Sequence, residues 1–186
     1  MGEANGPSGR AVRAFEAAMG ALVLAMAVAI GLQVLASVLG LNPVLVLGRA
    51  LPLVGDAITQ NSLQDAQWHL LVAVGLLPAW LVWLRDRHVR VDFLYSGLPP
   101  RGRRVVDIGG NLLLGLPFLA LATPAAWDFL GRAWRSDQGS ANAGLDDLWL
   151  VKALLPLGLL MLGLAVLWET ARLVRPRGPR PRRDGP

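Results

Sequence analysis

Side chains that could bind a haem or a metal are few in this chain. The sequence contains two histidines, His69 and His88, and no cysteine. Their spacing corresponds to roughly 28 Å along one continuous helix, so the two imidazoles cannot coordinate the same haem iron. The lack of cysteine excludes thiol redox chemistry and cysteine-based metal or iron–sulfur sites. We therefore expect no cofactor and no metal, and we interpret both histidines as interfacial.

Carboxylates are the second group that could do chemistry, because a proton-coupled carrier usually places one near the membrane midplane. Here the acids beside the longest apolar runs fall near the ends of those runs: Glu16, Asp107, Asp128 and Glu169. The deeper polar side chains, Gln33 and Asn111, do not titrate, and such groups commonly form hydrogen bonds between helices. Nor do these residues provide a nucleophile–base pair. We expect neither an enzyme nor a carrier that works alone.

The elements that carry these residues follow from the distribution of charge. Of the 186 residues, 54% are hydrophobic and 17% are charged, against roughly 25% charged in soluble domains. A bilayer core about 30 Å thick is crossed by roughly 20 apolar helical residues, and hydrocarbon cannot satisfy unpaired backbone groups. The sequence therefore predicts an all-α membrane protein. We place its four transmembrane helices at about 14–40, 67–85, 106–130 and 148–172, between an N-terminal segment 1–13 and a disordered basic tail 175–186.

The basic residues predict how these helices are oriented. Fourteen of the 18 Lys and Arg residues lie in the N-terminal segment, between the second and third helices, and from Arg172 at the end of the fourth helix through the tail. By the positive-inside rule, both termini and the loop between the second and third helices are cytoplasmic. Tryptophans fit this topology at the two interfaces: Trp68, Trp127, Trp134 and Trp149 outside, and Trp80, Trp83 and Trp168 inside. The basic blocks flank apolar segments, so the net charge of +5 does not indicate nucleic-acid binding.

Two further patterns concern packing and the first outer loop. Small or polar residues recur every four positions along the first helix, a spacing that permits close helix–helix contact: Ala17, Ala21, Ala25, Ala29, Gln33 and Ser37. Contacts within the bundle and contacts with another protein both fit this pattern. The prolines and short apolar run between residues 43 and 64 predict a segment lying at the membrane interface rather than a fifth span.

Four stretches resemble the small membrane subunit, the DctQ-like component, of tripartite ATP-independent periplasmic (TRAP) transporters. They read SLQDAQWHL at 62–70, RHVRVD at 87–92, LPPR at 98–101 and WLVKALLP at 149–156. The first stretch is similar to the subgroup labelled mannitol or chloroaromatic transport. The resemblance covers about residues 14–174 and assigns Trp68, Trp149 and Lys152 to a motif on the outer face.

The resemblance implies a bacterial inner-membrane protein with two protein partners. A periplasmic binding protein captures a small solute that usually bears a carboxylate, and a large membrane subunit moves the solute with sodium. The small subunit packs against the large one, anchors it among the membrane lipids and helps to dock the binding protein. The family's outer-loop pattern is not fully kept, since this sequence has Gln138, Ala143 and Asp146 at positions where the family often has an acid or a GGLP-type turn.

The cytoplasmic loop suggests one local site. Arg90 and Asp92 lie close after the second helix, so an Arg–Asp pair could fix an interfacial elbow that includes His88 and ends at Pro99, before Arg101. We expect this elbow to orient the bundle on its large partner. Two alternatives to the subunit interpretation stay open: a stand-alone carrier or channel acting as a homo-oligomer, and a membrane scaffold for another complex.

Overall fold

The computed structural model describes residues 7–51, 53–85, 95–142 and 144–175. Its elements in chain order are α1 (Pro7–Val38), β1 (Leu45–Leu51), β2 (Gly55–Ile58), α2 (Gln60–Leu76), α3 (Ala79–Leu84), α4 (Pro100–Gly110), a π-helical segment (Asn111–Gly115), α5 (Leu116–Arg135) and α6 (Trp149–Val174).

Four helical stretches are long and apolar enough to cross a membrane, which confirms the predicted all-α, four-helix membrane protein. They are Gly9–Val38, Gln60–Leu84, Pro100–Arg135 and Trp149–Val174. The helices extend beyond the predicted boundaries chiefly at the starts of the first three stretches and at the end of the third. Charged and polar residues occupy these extra turns, so hydropathy alone does not detect them.

A capping box explains why α2 begins at Gln60 rather than near residue 67. The Thr59 hydroxyl accepts a hydrogen bond from the Ser62 backbone N–H at 3.0 Å. In return, the Ser62 hydroxyl accepts one from the Thr59 N–H at 3.3 Å. Two backbone donors that the first turn would otherwise leave unpaired are satisfied, so the helix can start ahead of its apolar run.

The first loop contains a β-hairpin, which the sequence analysis did not predict. Strands β1 and β2 pair antiparallel, with Leu45 opposite Ile58, and β1 bulges before Leu51. Two glycines with positive φ, Gly48 at +70° and Gly55 at +73°, provide the backbone turns that a bulge and a tight connection need. The segment is therefore extended and hydrogen-bonded, and its interfacial location stays a prediction.

The third membrane-length stretch starts at a proline pair and changes its helical winding. Pro99 is the N-cap of α4, and Pro100 occupies the first turn, where a missing N–H is tolerated. After Gly110 the backbone hydrogen bonds follow the π-helical pattern, which joins residues five apart, over Asn111–Gly115. The α-helical pattern resumes at Leu116. Such π segments are often found at functional sites.

The chain divides into two compact units, and the first comprises Met1–Pro78 with Pro124–Gly158. Helices α1 and α2 pack against each other in this unit. The half-buried and buried side chains of α1 recur at intervals of three and four residues: Val12, Phe15, Met19, Leu22, Met26, Ala29, Gln33 and Ala36. That spacing is typical of a straight helix–helix seam. Gly158 lies against Leu76, where a Cβ would come within 3.1 Å of the Leu76 Cβ.

The second unit comprises Ala79–Thr123 with Leu159–Pro186. Its best-buried apolar side chains are Leu119, Ala165 and Val166. Gly115 approaches Val166 so closely that a Cβ would lie 3.7 Å from the valine Cγ1. Small residues thus let neighbouring helices come together inside this unit, as is common in membranes.

Most of the apolar helix surface is not covered by the chain itself. In the most apolar window of each membrane-length stretch, between 6% and 22% of the residues are buried. The lowest value belongs to α1, which contacts α2 along one side. The rest of this surface requires lipid or another protein chain, because exposed apolar area of this extent is unfavourable in water.

Candidate functional site

Two loops and the start of α2 form a hydrogen-bonded group, here called the loop cluster. It consists of Leu53 at the hairpin tip, Ser62 and Asp65 on α2, and residues 144–147 before α6. The Asp65 carboxylate accepts a hydrogen bond from the Leu145 N–H at 3.1 Å. The Ser62 hydroxyl, in a buried residue, donates to the Gly144 carbonyl at 3.3 Å. A Cβ at residue 144 would overlap the Asp65 carboxylate, so a larger residue there would displace this carboxylate.

The hairpin tip is fastened to the residues that precede α6. The Leu53 carbonyl accepts a hydrogen bond from the Asp146 N–H at 2.9 Å. The Leu53 N–H donates to Asp147 Oδ2 at 3.2 Å, and the other oxygen of that carboxylate accepts from Trp149 Nε1 at 3.2 Å. One carboxylate thereby joins the hairpin to the first residue of α6, and such charge-assisted bonds are stronger than neutral ones.

The predicted outer-face residues separate into two groups. Trp149 stacks edge-on against Trp134, with ring centroids 4.5 Å apart. The Lys152 ammonium lies 4.2 Å from the centroid of Phe129 and hydrogen-bonds the side-chain oxygen of Gln138. Both predicted residues therefore border the loop cluster, whereas Trp68 is 59% exposed on α2.

The family departures in this loop have defined positions. Gln138 is the side-chain partner of Lys152, and its backbone carbonyl accepts from the Leu148 N–H at 2.9 Å. Asp146 is exposed and bonds Leu53 through its backbone N–H, and its carboxylate oxygens lie against Gly55 and Gly139, where a Cβ would come within 3.2 Å of them. Ala143 lies outside the described residues. The amide at position 138 thus supports the loop without adding a charge.

A cavity of about 710 Å³ lies within the second unit. Val106, Leu114 and Phe118 contribute apolar lining, and Asp107 and Glu169 contribute carboxylates. Tyr95 Oη donates to Asp107 at 2.7 Å, whereas Glu169 Oε2 is buried without a hydrogen-bond partner among the described residues and lies 3.6 Å from Arg172 Nη1. The cavity has the size of a ligand pocket, and of its two carboxylates Asp107 is engaged in a structural hydrogen bond.

Asn111 forms the buried polar contact of this unit. Its Nδ2 donates to Thr170 Oγ1 at 2.9 Å, and the Thr170 hydroxyl donates to the Val166 carbonyl at 2.7 Å. Asn111 is 6% exposed and Thr170 is 7% exposed. The sequence favours a hydrogen bond from Asn111 to another helix, and in the structure its partner is Thr170 on α6. A threonine that can bond its own helix carries little sequence signal for such a role.

The predicted packing residues of α1 do not share one environment. Ala29 is buried and Gln33 accepts a hydrogen bond from Gln67 Nε2 at 2.5 Å. Ala17, Ala21 and Ala25 are exposed within the chain. Because four residues turn a helix by about 400°, a four-residue series drifts off one face, and only its last part reaches α2.

The predicted cytoplasmic elbow is described only at its end. His88, Arg90 and Asp92 lie outside the described residues, and Pro99 and Arg101 are exposed at the start of α4. Arg103 holds the adjoining turn, a role that the sequence pattern does not predict. Arg103 donates to the carbonyls of Leu98 at 2.9 Å and Ser96 at 2.7 Å, and its guanidinium lies 5.6 Å from the Tyr95 ring centroid.

The polar side chains of these arrangements serve mainly as hydrogen-bond partners within the chain. Within the described ranges, no group of three or more His, Cys, Asp or Glu side chains could hold a metal ion. The polar groups of the loop cluster and the cavity are mainly engaged with backbone groups or with each other, as in a structural network. The structure provides three kinds of surface at which another molecule could bind: the hydrogen-bonded loop cluster, the cavity, and the exposed apolar faces of the helices.

Comparison with known proteins supplies the remaining evidence. A family described as "Tripartite ATP-independent periplasmic transporters, DctQ component" matches residues 44–176. The matched range contains the hairpin, the loop cluster, the cavity and three of the four membrane-length stretches. It gives no subgroup, so the mannitol or chloroaromatic label stays a prediction. No curated protein and no solved structure matches the chain.

Proposed function

Because this chain belongs to the DctQ component family of TRAP transporters and is a small membrane subunit of such a system, we propose that it packs against the large transport subunit and helps to dock the periplasmic binding protein. In this role the chain carries no solute itself. It anchors the large subunit in the inner membrane while that subunit performs sodium-coupled uptake of small, usually carboxylate-bearing solutes.

The observation that carries the proposal is the family match together with the uncovered helix surface. At most 22% of the residues in any of the four apolar windows are buried by the chain. Membrane helices associate through close packing and hydrogen bonds, because lipid tails are as apolar as the side chains. The exposed alanines of α1, Ala17, Ala21 and Ala25, offer the close approach that a partner helix needs.

The loop cluster is the proposed contact for the binding protein. Its backbone is fixed by the carboxylates of Asp65 and Asp147, so the exposed side chains beside it are held in defined positions. A preorganised surface loses less entropy on docking than a mobile one. The charge pattern of the sequence supports placing this cluster outside, with both termini and the Arg90–Asp92 elbow inside.

Reconstitution tests the proposal directly. The large subunit, the binding protein and this chain are purified separately and combined in liposomes with an inward sodium gradient. We expect solute uptake only when all three are present, and co-purification of this chain with the large subunit from detergent. Uptake by this chain alone would refute the subunit function and favour the stand-alone carrier. Recovery of an unrelated membrane complex in its place would favour the scaffold.

Variants of the loop cluster separate anchoring from docking. Asp147→Asn should lower uptake at limiting binding protein while leaving co-purification with the large subunit intact. The matched control is Asp137→Asn, the same change at an exposed residue. Equal uptake by both variants would contradict the docking role of the cluster. Loss of co-purification in Asp147→Asn would instead place the large subunit at this surface.

A further inference from the structure

The β-hairpin between α1 and α2 exposes apolar residues on both faces of one strand. In β1, Leu45 is 53% exposed and its neighbour Val46 is 67% exposed. Successive strand residues point to opposite faces, so neither face of β1 is polar at this position. A hairpin surrounded by water normally presents polar side chains on at least one face. The opposite strand differs, since β2 exposes Asp56.

The hairpin is held beside the ends of membrane-length helices. At its base, Val44 N–H donates to the Ile58 carbonyl at 2.8 Å, and Gln60 Nε2, at the start of α2, donates to the Leu41 carbonyl at 3.0 Å. Leu41 follows the end of α1 by three residues. At its tip, Leu53 is bonded to the residues just before α6. The ends of transmembrane helices lie at the depth of the lipid headgroups, so the hairpin is kept near that depth.

The apolar surface of α1 continues onto the hairpin. Val38, Leu39 and Leu41 are exposed at and beyond the end of α1, and they precede Leu45 by only a few residues. Since the apolar window of α1 is almost entirely uncovered by the chain, lipid is the expected neighbour of the part of its exposed side that no partner helix covers, including the C-terminal end with Val38 and Leu39. We therefore expect lipid to be the neighbour of β1 as well.

We propose that the hairpin stands with its β1 edge in the bilayer surface, so that Leu45 and Val46 contact phospholipid at the boundary between headgroups and acyl chains. Asp56 on β2 faces water. The free edge of β1 carries unpaired backbone groups that hydrocarbon cannot satisfy, which limits insertion to the headgroup boundary. Arg49 on the same strand is exposed and long enough to reach lipid phosphate. The inference goes beyond the subunit function and does not depend on it.

Spin labelling tests this directly, because the natural chain has no cysteine. Single variants Leu45→Cys, Val46→Cys and Asp56→Cys are labelled with a nitroxide and reconstituted in vesicles of phosphatidylethanolamine and phosphatidylglycerol. A high collision rate of the nitroxide with oxygen indicates that the label is in lipid, and a high collision rate with a water-soluble nickel chelate indicates that it is in water. Leu24→Cys, 69% exposed in α1, is the lipid control, and Ala141→Cys in an exposed turn is the water control.

We expect the collision rate with the nickel chelate to be severalfold lower at residues 45 and 46 than at residue 141, and to be similar at 45 and 46. At residue 56 the rate should be as high as in water. Values at 45 and 46 equal to the water control would overturn the proposal. Strongly unequal values would show a hairpin lying flat, which also overturns it. So would protection that appears only after the large subunit is added. If a hairpin variant loses helical circular dichroism, Leu41→Cys replaces it, since Leu41 belongs to the same exposed apolar surface.

Discussion

The Asn111–Thr170 hydrogen bond provides a quantitative test of how the second unit is held together. Thr170→Val removes the acceptor while keeping the side-chain shape, and it leaves the buried Asn111 amide without its partner 2.9 Å away. A buried donor that loses its partner costs about 1–3 kcal/mol. Asn111→Ala removes the donor, and Thr170 retains its bond to the Val166 carbonyl. We therefore expect Thr170→Val to be the more destabilising of the two.

The coupling free energy between Asn111 and Thr170 is obtained by comparing the double variant with the two single variants. Hydrogen bonds between membrane helices average about 0.6 kcal/mol in double-mutant cycles and reach about 1.7 kcal/mol. The contact is nearly closed to solvent, with 6% and 7% exposure, so a value in the upper half of that range is expected. Asn111 lines the adjacent cavity, so the space left by the Asn111→Ala substitution joins that cavity and does not form a closed void. The double variant should thus cost about 1 kcal/mol less than the sum of the single variants.

The measurement is reversible unfolding in mixed micelles, with sodium dodecyl sulfate as denaturant and circular dichroism as the signal. Thr123→Val is the control partner for Asn111, since it lies more than three helical turns away along the same stretch. The double-mutant cycle of Asn111→Ala and Thr123→Val should give no coupling free energy. A coupling below about 0.3 kcal/mol between Asn111 and Thr170, or a greater cost for Asn111→Ala than for Thr170→Val, would refute the reasoning.

Three further predictions address packing, the loop cluster and the elbow. Gly158→Ala should cost about 1–3 kcal/mol in the same unfolding assay because its Cβ would meet Leu76, whereas Gly163→Ala, in ordinary contact distance, should change stability little. Asp147→Asn keeps one acceptor oxygen of two, so amide hydrogen exchange at the hairpin tip should accelerate relative to Asp137→Asn, and equal rates would contradict the fastening. Arg90→Glu should weaken co-purification with the large subunit, and unchanged assembly and transport would disprove the elbow hypothesis.

Much of the membrane architecture could be predicted because it depends on long apolar runs. Four uncharged stretches are enough to predict four helices, since a continuous apolar run of this length satisfies its own backbone groups in hydrocarbon only as a helix. The start of α2 was missed because it rests on Thr59 and Ser62, a capping pair of two hydroxyl residues inside a polar segment. The hairpin was missed because apolar runs broken by glycine and proline do not distinguish an interfacial helix from a bulged strand.

The sites were harder to predict than the elements. Gln33 and Asn111 were recognised as interhelical hydrogen-bonding residues, but their partners Gln67 and Thr170 lie 34 and 59 residues away and carry no pattern that links them. The alanines at four-residue spacing suggested one packing face, while the covered face of α1 alternates between three and four residues. Contacts between distant segments depend on helix rotation, which the composition of a single helix does not specify.

The π-helical segment Asn111–Gly115 has a consequence for chain length at this point. A π turn accommodates about one residue more than an α turn, so the segment behaves as a single-residue insertion absorbed without a loop. Deleting one leucine there would restore ordinary α-helical winding and rotate the preceding turns by about 100° relative to residues 116–123. Asn111 would then point away from Thr170. A one-residue deletion here should therefore be more harmful than most point substitutions, and related chains that lack this residue should have a different partner at the position of Asn111.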